Sequence, residues 1–180
     1  MRVACLGSSD AARGALRLLR RSGRPAVAGE IADPPPAEIV LVLPAPGELG
    51  QLEQWNAIAL NTSRPWLQVL PWDGRMLAVG PLYLPGLTAC FTCYRLRRSA
   101  ALGLAAAGRQ LESEPTRARA GIALPALAAA LAVEQALGWL SHRNAEAAGI
   151  LHAIDDPGGL RVTSHRVLPV PLCPACSGAA

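Results

Sequence analysis

Over its first half the chain alternates short, unbroken apolar runs with amphipathic stretches. Arg2-Val3-Ala4-Cys5-Leu6-Gly7 reads as a short buried strand, and Ala11 to Arg21 as a helix whose apolar side carries Leu16, Leu18 and Leu19, with Ser9 or Asp10 as its cap. A second strand is expected near Pro25 to Ala28. Beyond the proline-rich turn Asp33-Pro34-Pro35-Pro36, the run Glu38 to Leu43 has the continuous apolar character of a strand covered on both faces. Glu48 to Ala59 reads as a helix and Pro65 to Leu70 as a strand. Asp73-Gly74 then turns the chain into a partner strand, Met76 to Val79, expected to stop at Gly80-Pro81. This order points to an α/β fold with a parallel sheet.

The second half has a different rhythm. Thr116 to His142 is strongly helical, with Leu124, Leu127 and Leu131 spaced for one face, Pro125 placed near a helix start and many alanines that permit close packing. The run Ile122 to Leu140 is long enough to raise the question of a membrane span, but Glu134-Gln135 interrupts it, and a buried or subunit-interface helix is expected instead. The tail reads as a hairpin, Ile150 to Ile154 and Leu160 to Thr163 around Asp156-Pro157-Gly158-Gly159, followed by an extended piece from Val167 to Leu172. No internal repeat or long linker divides the 180 residues, so one domain is expected over 1–180.

Composition narrows the function. Apolar residues make up 51% of the chain and charged residues 17%, which leaves apolar surface for a core or for another subunit, a homodimer included. The net charge is +4 with 17 basic residues, all of them arginine, scattered singly or in short pairs such as Arg20-Arg21 and Arg97-Arg98. Nucleic-acid binders gather their basic residues into stripes with interleaved aromatics, so no nucleic-acid partner is expected. The chain enters its first strand without the features of a signal peptide, which predicts a cytoplasmic protein without a membrane anchor.

In a reducing compartment, cysteines spaced as C-x-x-C are metal ligands or redox groups more often than disulfides. Two such pairs occur, Cys90-Phe91-Thr92-Cys93 and Cys173-Pro174-Ala175-Cys176. A redox site needs one pair at a helix start and leaves the second unexplained, whereas a tetrahedral zinc ion takes two thiolates from each turn. Cys90, Cys93, Cys173 and Cys176 are therefore the expected ligands of one structural zinc. Four thiolates close the shell, so the ion would contribute folding free energy rather than Lewis-acid chemistry. Cys5, without a nearby pair, reads as a small buried hydrophobe. His142, His152 and His165 have no acid and nucleophile around them in a recognisable motif and read as surface or structural residues.

The segments Pro65-Trp66-Leu67, Gly80-Pro81-Leu82-Tyr83-Leu84-Pro85-Gly86-Leu87-Thr88-Ala89-Cys90-Phe91-Thr92-Cys93-Tyr94-Arg95-Leu96-Arg97 and Pro169-Val170-Pro171-Leu172-Cys173-Pro174-Ala175-Cys176 resemble the ThiF-like adenylating superfamily. Within it the wording is most similar to the ThiF-like partners of YcaO cyclodehydratases, which help to install azoline rings in ribosomally made peptides. The resemblance implies a Rossmann-like, mainly parallel sheet with a C-terminal zinc-anchored hairpin region. It also implies zinc on the same four cysteines and a second subunit as partner.

Two departures shape what the resemblance implies for activity. Active members carry a glycine-rich turn after the first strand, a lysine on the nucleotide phosphates and an aspartate on magnesium. Here the turn reads Gly7-Ser8-Ser9-Asp10-Ala11-Ala12, the third strand ends Leu43-Pro44-Ala45-Pro46, lysine is absent, and Arg13 or Arg17 would supply only part of the missing charge. The peptide-processing partners usually carry a winged-helix leader clamp ahead of the first strand, and here that strand begins at residue 2, so no such clamp is expected. The expected function is a non-catalytic subunit that assembles or activates a YcaO-type cyclodehydratase, with the precursor peptide as a further possible partner. The rivals are a leader-peptide adaptor and a surviving adenylyltransferase.

Overall fold

The computed structural model describes residues 2–101, 121–155 and 160–177. In chain order the elements are β1 (Val3–Leu6), α1 (Asp10–Arg21), β2 (Ala26–Gly29), β3 (Ile39–Val42), α2 (Gln51–Thr62), β4 (Trp66–Leu70), β5 (Met76–Tyr83), α3 (Phe91–Ala101), α4 (Leu124–His142), β6 (Ile150–Asp155) and β7 (Arg161–Arg166). The strands form one sheet in the order β2-β1-β3-β4-β5-β6-β7. From β2 to β4 all neighbours are parallel, and from β4 to β7 all are antiparallel. The parallel half is the α/β arrangement expected from the sequence, and the antiparallel half carries the C-terminal hairpin.

Alternation along the strands divides the core into two layers. Val3, Cys5, Ile39, Leu41, Leu67, Val69, Leu77 and Val79 face α1 and α4. Ala4, Leu6, Val40, Val42, Trp66, Leu70, Ala78 and Tyr83 face α2, α3 and the cysteines. Both faces of β1 and β3 are thus covered, which is why these strands read as unbroken apolar runs.

Ser9 is the α1 cap. Its Oγ accepts from Ala12 N at 3.1 Å and donates to Leu43 O at 2.8 Å, tying the helix start to the end of β3. Gly7 makes this turn possible, because at φ +109° a Cβ there would stand 2.3 Å from Leu43 O. The α2 helix begins at Gln51 rather than Glu48, since the Glu48 carboxylate folds back onto Ala45 N at 2.8 Å.

The apolar stretch 124–142 is a core helix. Its buried stripe is built mainly from alanines (Ala128, Ala129, Ala132 and Ala136 between Leu124 and Leu140), while Leu127 and Leu131 lie half-buried at its flanks. Small residues let α1 and α4 approach closely: a Cβ on Gly14 would lie 3.0 Å from that of Ala129. By length and composition alone α4 would suffice to cross a membrane, but here it packs on the sheet. The expected helical residues 116–120 and hairpin turn 156–159 lie outside the described residues.

One expectation needs correction. Strand β5 does not stop at Gly80-Pro81 but continues to Tyr83, with a cis Gly80–Pro81 peptide and a register shift opposite Gln68. A bulge tolerates a proline that a regular ladder would reject, and Gly80, at φ +83°, has no Cβ to strike Ile150 O. The extended piece that follows β7 stays outside the ladder. Only Val167 N reaches the sheet, at Gly149 O (2.8 Å), before the chain turns away with Leu172 at φ +54°.

Candidate metal centre

The first cysteine pair sits where the chain leaves β5, makes a tight turn and enters α3. Thr88 fixes that turn: its N–H donates to Leu84 O at 3.0 Å and its Oγ1 accepts from Leu84 N at 2.9 Å. Cys90 immediately precedes α3 and Cys93 lies in its first turn. Buried Asn56 of α2 accepts the Phe91 N–H at 3.0 Å, satisfying one of the donors that a helix start leaves open. Between the cysteines, Phe91 packs into an aromatic group with Trp66 (6.2 Å between centroids) and Tyr94 (6.1 Å), and Trp66 in turn meets Tyr83 at 4.5 Å. Helix α3 is therefore anchored by packing before any ligand is considered.

The second pair arrives on the irregular segment after β7. Arg97 of α3 holds that segment with two hydrogen bonds, Nε to Leu168 O at 2.5 Å and Nη2 to Pro169 O at 2.7 Å. Val170 N–H then donates to Cys93 Sγ at 3.3 Å. The turn around the pair closes with Cys173 N to Val170 O and Ser177 N to Cys173 O.

The result brings all four predicted ligands together. Sulfur–sulfur distances are 3.8 Å for Cys90–Cys93, 3.7 Å for Cys90–Cys173 and 3.6 Å for Cys93–Cys176, and all four Sγ atoms lie within 4.8 Å of one another. A tetrahedron with metal–sulfur bonds of about 2.3 Å has edges of ~3.8 Å, so the cluster can hold a metal ion. Cys90, Cys93 and Cys173 are buried and Cys176 is partly so, which leaves little access for a substrate.

The electrostatics suit a cation. Burial raises the Cys90 and Cys176 thiols, and the neighbouring sulfurs raise Cys176 further. Burial acts on Cys173 in the same direction, but the backbone N–H groups of Ala175 and Cys176 outweigh it and bring that thiol down to about 7. Four sulfurs this close cannot all ionise unless a positive ion joins them.

The remaining sequence candidates lie elsewhere. Cys5 is buried in β1 and pushed up to about 12 by that burial, which suits an inert core residue. His152 pairs with Ser164 Oγ at 2.9 Å and His165 with Thr163 Oγ1 at 3.0 Å, both on the hairpin, and His142 ends α4. Asn56 and Arg97 carry as much of the local architecture as the cysteines do, yet in the sequence they look like ordinary polar residues of amphipathic helices.

A second feature lies at the other end of the sheet's parallel half. The loops after β1 and β3 diverge there, the place where open α/β sheets usually bind ligands, and border a cavity of about 330 Å³ lined by Ser8, Arg13, Pro44, Trp72 and Pro125 among others. Arg13 borders it and Arg17 does not. Several of the donors beside it are engaged: Glu48 accepts from Ser8 Oγ at 2.7 Å and Ala45 N at 2.8 Å, and Arg13 is paired with Asp10. Two carboxylates at the start of α1 work against a phosphate.

No protein-family model and no curated protein matches the chain. Solved structures do. A heterocyclase in complex with substrate and cofactor superposes with a TM-score of 0.74 at 22% identity, and the heterocyclase TruD with 0.64 at 25%, each over 97% of this chain. E. coli MccB with ATP superposes with 0.70 at 16% identity over 98% of the chain, and MccB in complex with N-formylated MccA with 0.72 at 15% over the same share. The chain has the ThiF-like fold. The likeness to MccB shows that fold over nearly the whole chain, as the sequence resemblance implied. The chain spans about a quarter of the two heterocyclases, 25% and 27% of their length, and about two thirds of MccB.

Proposed function

We propose that this ThiF-like chain is a zinc-binding, non-catalytic subunit, a single domain over 1–180 that assembles or activates a YcaO-type cyclodehydratase acting on a ribosomally made peptide. The observation that carries this reading is the combination of a four-thiol cluster with a phosphate-side crevice two of whose lining residues, Ser8 and Ala45, donate to the chain's own Glu48 carboxylate. Similarity to heterocyclases over the whole chain supports peptide modification as the setting.

Cys90, Cys93, Cys173 and Cys176 would hold zinc, the expected ion for an all-thiolate tetrahedron in a reducing cytoplasm. When bound, it supplies a closed-shell crosslink. The chain's residues then do the positioning: Asn56 orients α3, Arg97 straps the last segment to it, and the rigid unit presents its surface to the catalytic subunit. The rival reading, an adenylyltransferase, needs an anion site at the start of α1, where Glu48 and Asp10 stand.

The test is co-purification of the chain with a YcaO protein encoded beside it, followed by mass measurement of the precursor peptide for loss of water. The expected result is a stable complex that dehydrates the peptide faster than the YcaO protein alone. A YcaO protein that works equally well without this chain, or never binds it, overturns the reading.

A further inference from the structure

Helices α1 and α4 close on each other where Gly14 meets Ala129, and beside that contact a groove of about 580 Å³ opens between them. Its apolar floor comes from Ala126 and Ala130 of α4 and Leu18 of α1. Ala126 and Leu18 are exposed and Ala130 is half-buried. A surface helix ordinarily carries long polar side chains on its outer side, and alanine at 126 and 130 leaves the groove unfilled instead.

The rim is basic. Arg17, Arg20 and Arg21 border the groove, all of them exposed, and none has a hydrogen bond or ion pair among the described residues. Arg13, Arg95, Arg98, Arg143 and Arg161, by contrast, each face a carboxylate. What distinguishes the three is less the missing partner, which Arg24 and Arg64 share, than their convergence on one apolar groove within a single turn of helix. The helix dipole favours Arg20 and Arg21 in the last turn of α1 but does not account for the unfilled floor beside them. Like charges three and four positions apart also repel, a cost that an acidic partner would remove.

Floor and rim together select the occupant. An apolar stripe flanked by carboxylates would bury its stripe on the alanines and pair its acids with the guanidinium groups. Arg17 and Arg21 lie one helical turn apart, the spacing at which a facing helix presents Asp or Glu, and the two bordering helices form walls for a third. Other occupants fit worse. A second copy docked about a two-fold axis would set arginine rim against arginine rim. A bilayer surface is too flat to reach the floor, and a nucleic acid finds no aromatic ring in the lining on which to stack a base.

We propose that the groove between α1 and α4 is the docking site for an amphipathic helix of a partner protein, with Asp or Glu flanking its apolar stripe to meet Arg17, Arg20 and Arg21. On the assembly reading that partner is the catalytic subunit. Its identity rests on that reading, whereas the preference of the groove for an acidic helix stands apart from it.

Two probes test this on the metal-loaded, full-length chain. One is a cross-linked helical peptide with leucines one turn apart flanked by glutamates, compared with the same peptide carrying lysines in their place. The other is the YcaO protein encoded beside the chain. The glutamate peptide should bind more tightly than the lysine peptide, and less tightly as salt rises. Arg17→Glu combined with Arg21→Glu, and separately Ala126→Trp, should each weaken binding of the glutamate peptide and of the YcaO protein at least about tenfold. Neither variant should lower the melting temperature, since all three positions are exposed.

Equal affinity for the two peptides, or undiminished binding of the glutamate peptide by both variants, overturns the groove. So does a homodimer that Ala126→Trp disrupts, or arginine-dependent binding of phosphatidylserine vesicles or single-stranded RNA in place of the glutamate peptide. A YcaO complex that forms and dehydrates its peptide equally well with either variant refutes docking here and leaves the assembly role intact. A glutamate peptide bound through Arg17 and Arg21, with no YcaO complex formed, upholds the groove and removes the assembly role.

Discussion

Cys90 and Cys173 stand 83 positions apart in the chain and 3.7 Å apart at their sulfur atoms. Nothing in the antiparallel ladder places them so, because the segment after β7 leaves the sheet at Val167. Contacts from α3 bring the second pair in, and a metal ion would lock it there.

One zinc per chain is therefore the expected stoichiometry. Elemental analysis should give a ratio near one, and a chromogenic chelator should capture the metal only once the thiols are blocked or the protein unfolds.

Replacing Cys173 with serine opens the shell and frees the terminal segment. The expected cost is about 3 kcal/mol or more, which for a chain of this length corresponds to a fall in melting temperature of about 10 °C. Calorimetry of the metal-loaded variant against wild type checks it.

Arg97→Ala removes the two bonds to Leu168 and Pro169 without touching a sulfur. The variant should still load metal but lose it to a chelator several-fold faster, because the second pair is less well held before binding. An unchanged release rate would show that the strap is dispensable.

Glu48 gives the pH-dependent prediction. Burial pushes its carboxyl up, but bonds from Ala45 N–H and the Ser8 hydroxyl and N–H outweigh it and hold the group below the ordinary carboxylate value of 4.5. A depressed folded-state value stabilises the fold above that ordinary value and is lost as pH falls through the folded one. Glu48→Gln should therefore cost about 1 kcal/mol at pH 7, with the gap to wild type closing as both are melted at increasingly acidic pH below 4.5.

The same carboxylate leads to an expected null result. Neither magnesium-dependent pyrophosphate exchange nor ATP hydrolysis should exceed that of a boiled control, and exchange above that level would restore the adenylyltransferase reading.

The sequence made some of this legible and hid the rest for identifiable reasons. Strands β1 and β3 announced themselves because both faces are covered, leaving no polar alternation to confuse them. The cysteine cluster was legible as a candidate metal site because a C-x-x-C turn is a local geometry that needs no knowledge of the fold. Gly80-Pro81 misled because that dipeptide usually ends a strand, and only the register shift opposite Gln68 explains why β5 runs on. Asn56, Arg97 and Glu48 gave no signal, since each acts through a backbone group distant in sequence or hidden in a turn, and composition cannot show which exposed-looking polar residue has such a partner.

The separation of the two cysteine pairs has a consequence for how the molecule is made. Residues 90 and 93 leave the ribosome early, on a helix whose aromatic and Asn56 contacts all come from chain already synthesised. Residues 173 and 176 come after everything else described. A nascent chain can thus complete its parallel half and still hold only two sulfurs, a weak and exposed half-site. A metal held by all four cysteines could be captured only once Cys173 and Cys176 have been made, and a product that stops short of Cys173 would offer only two of the four sulfurs.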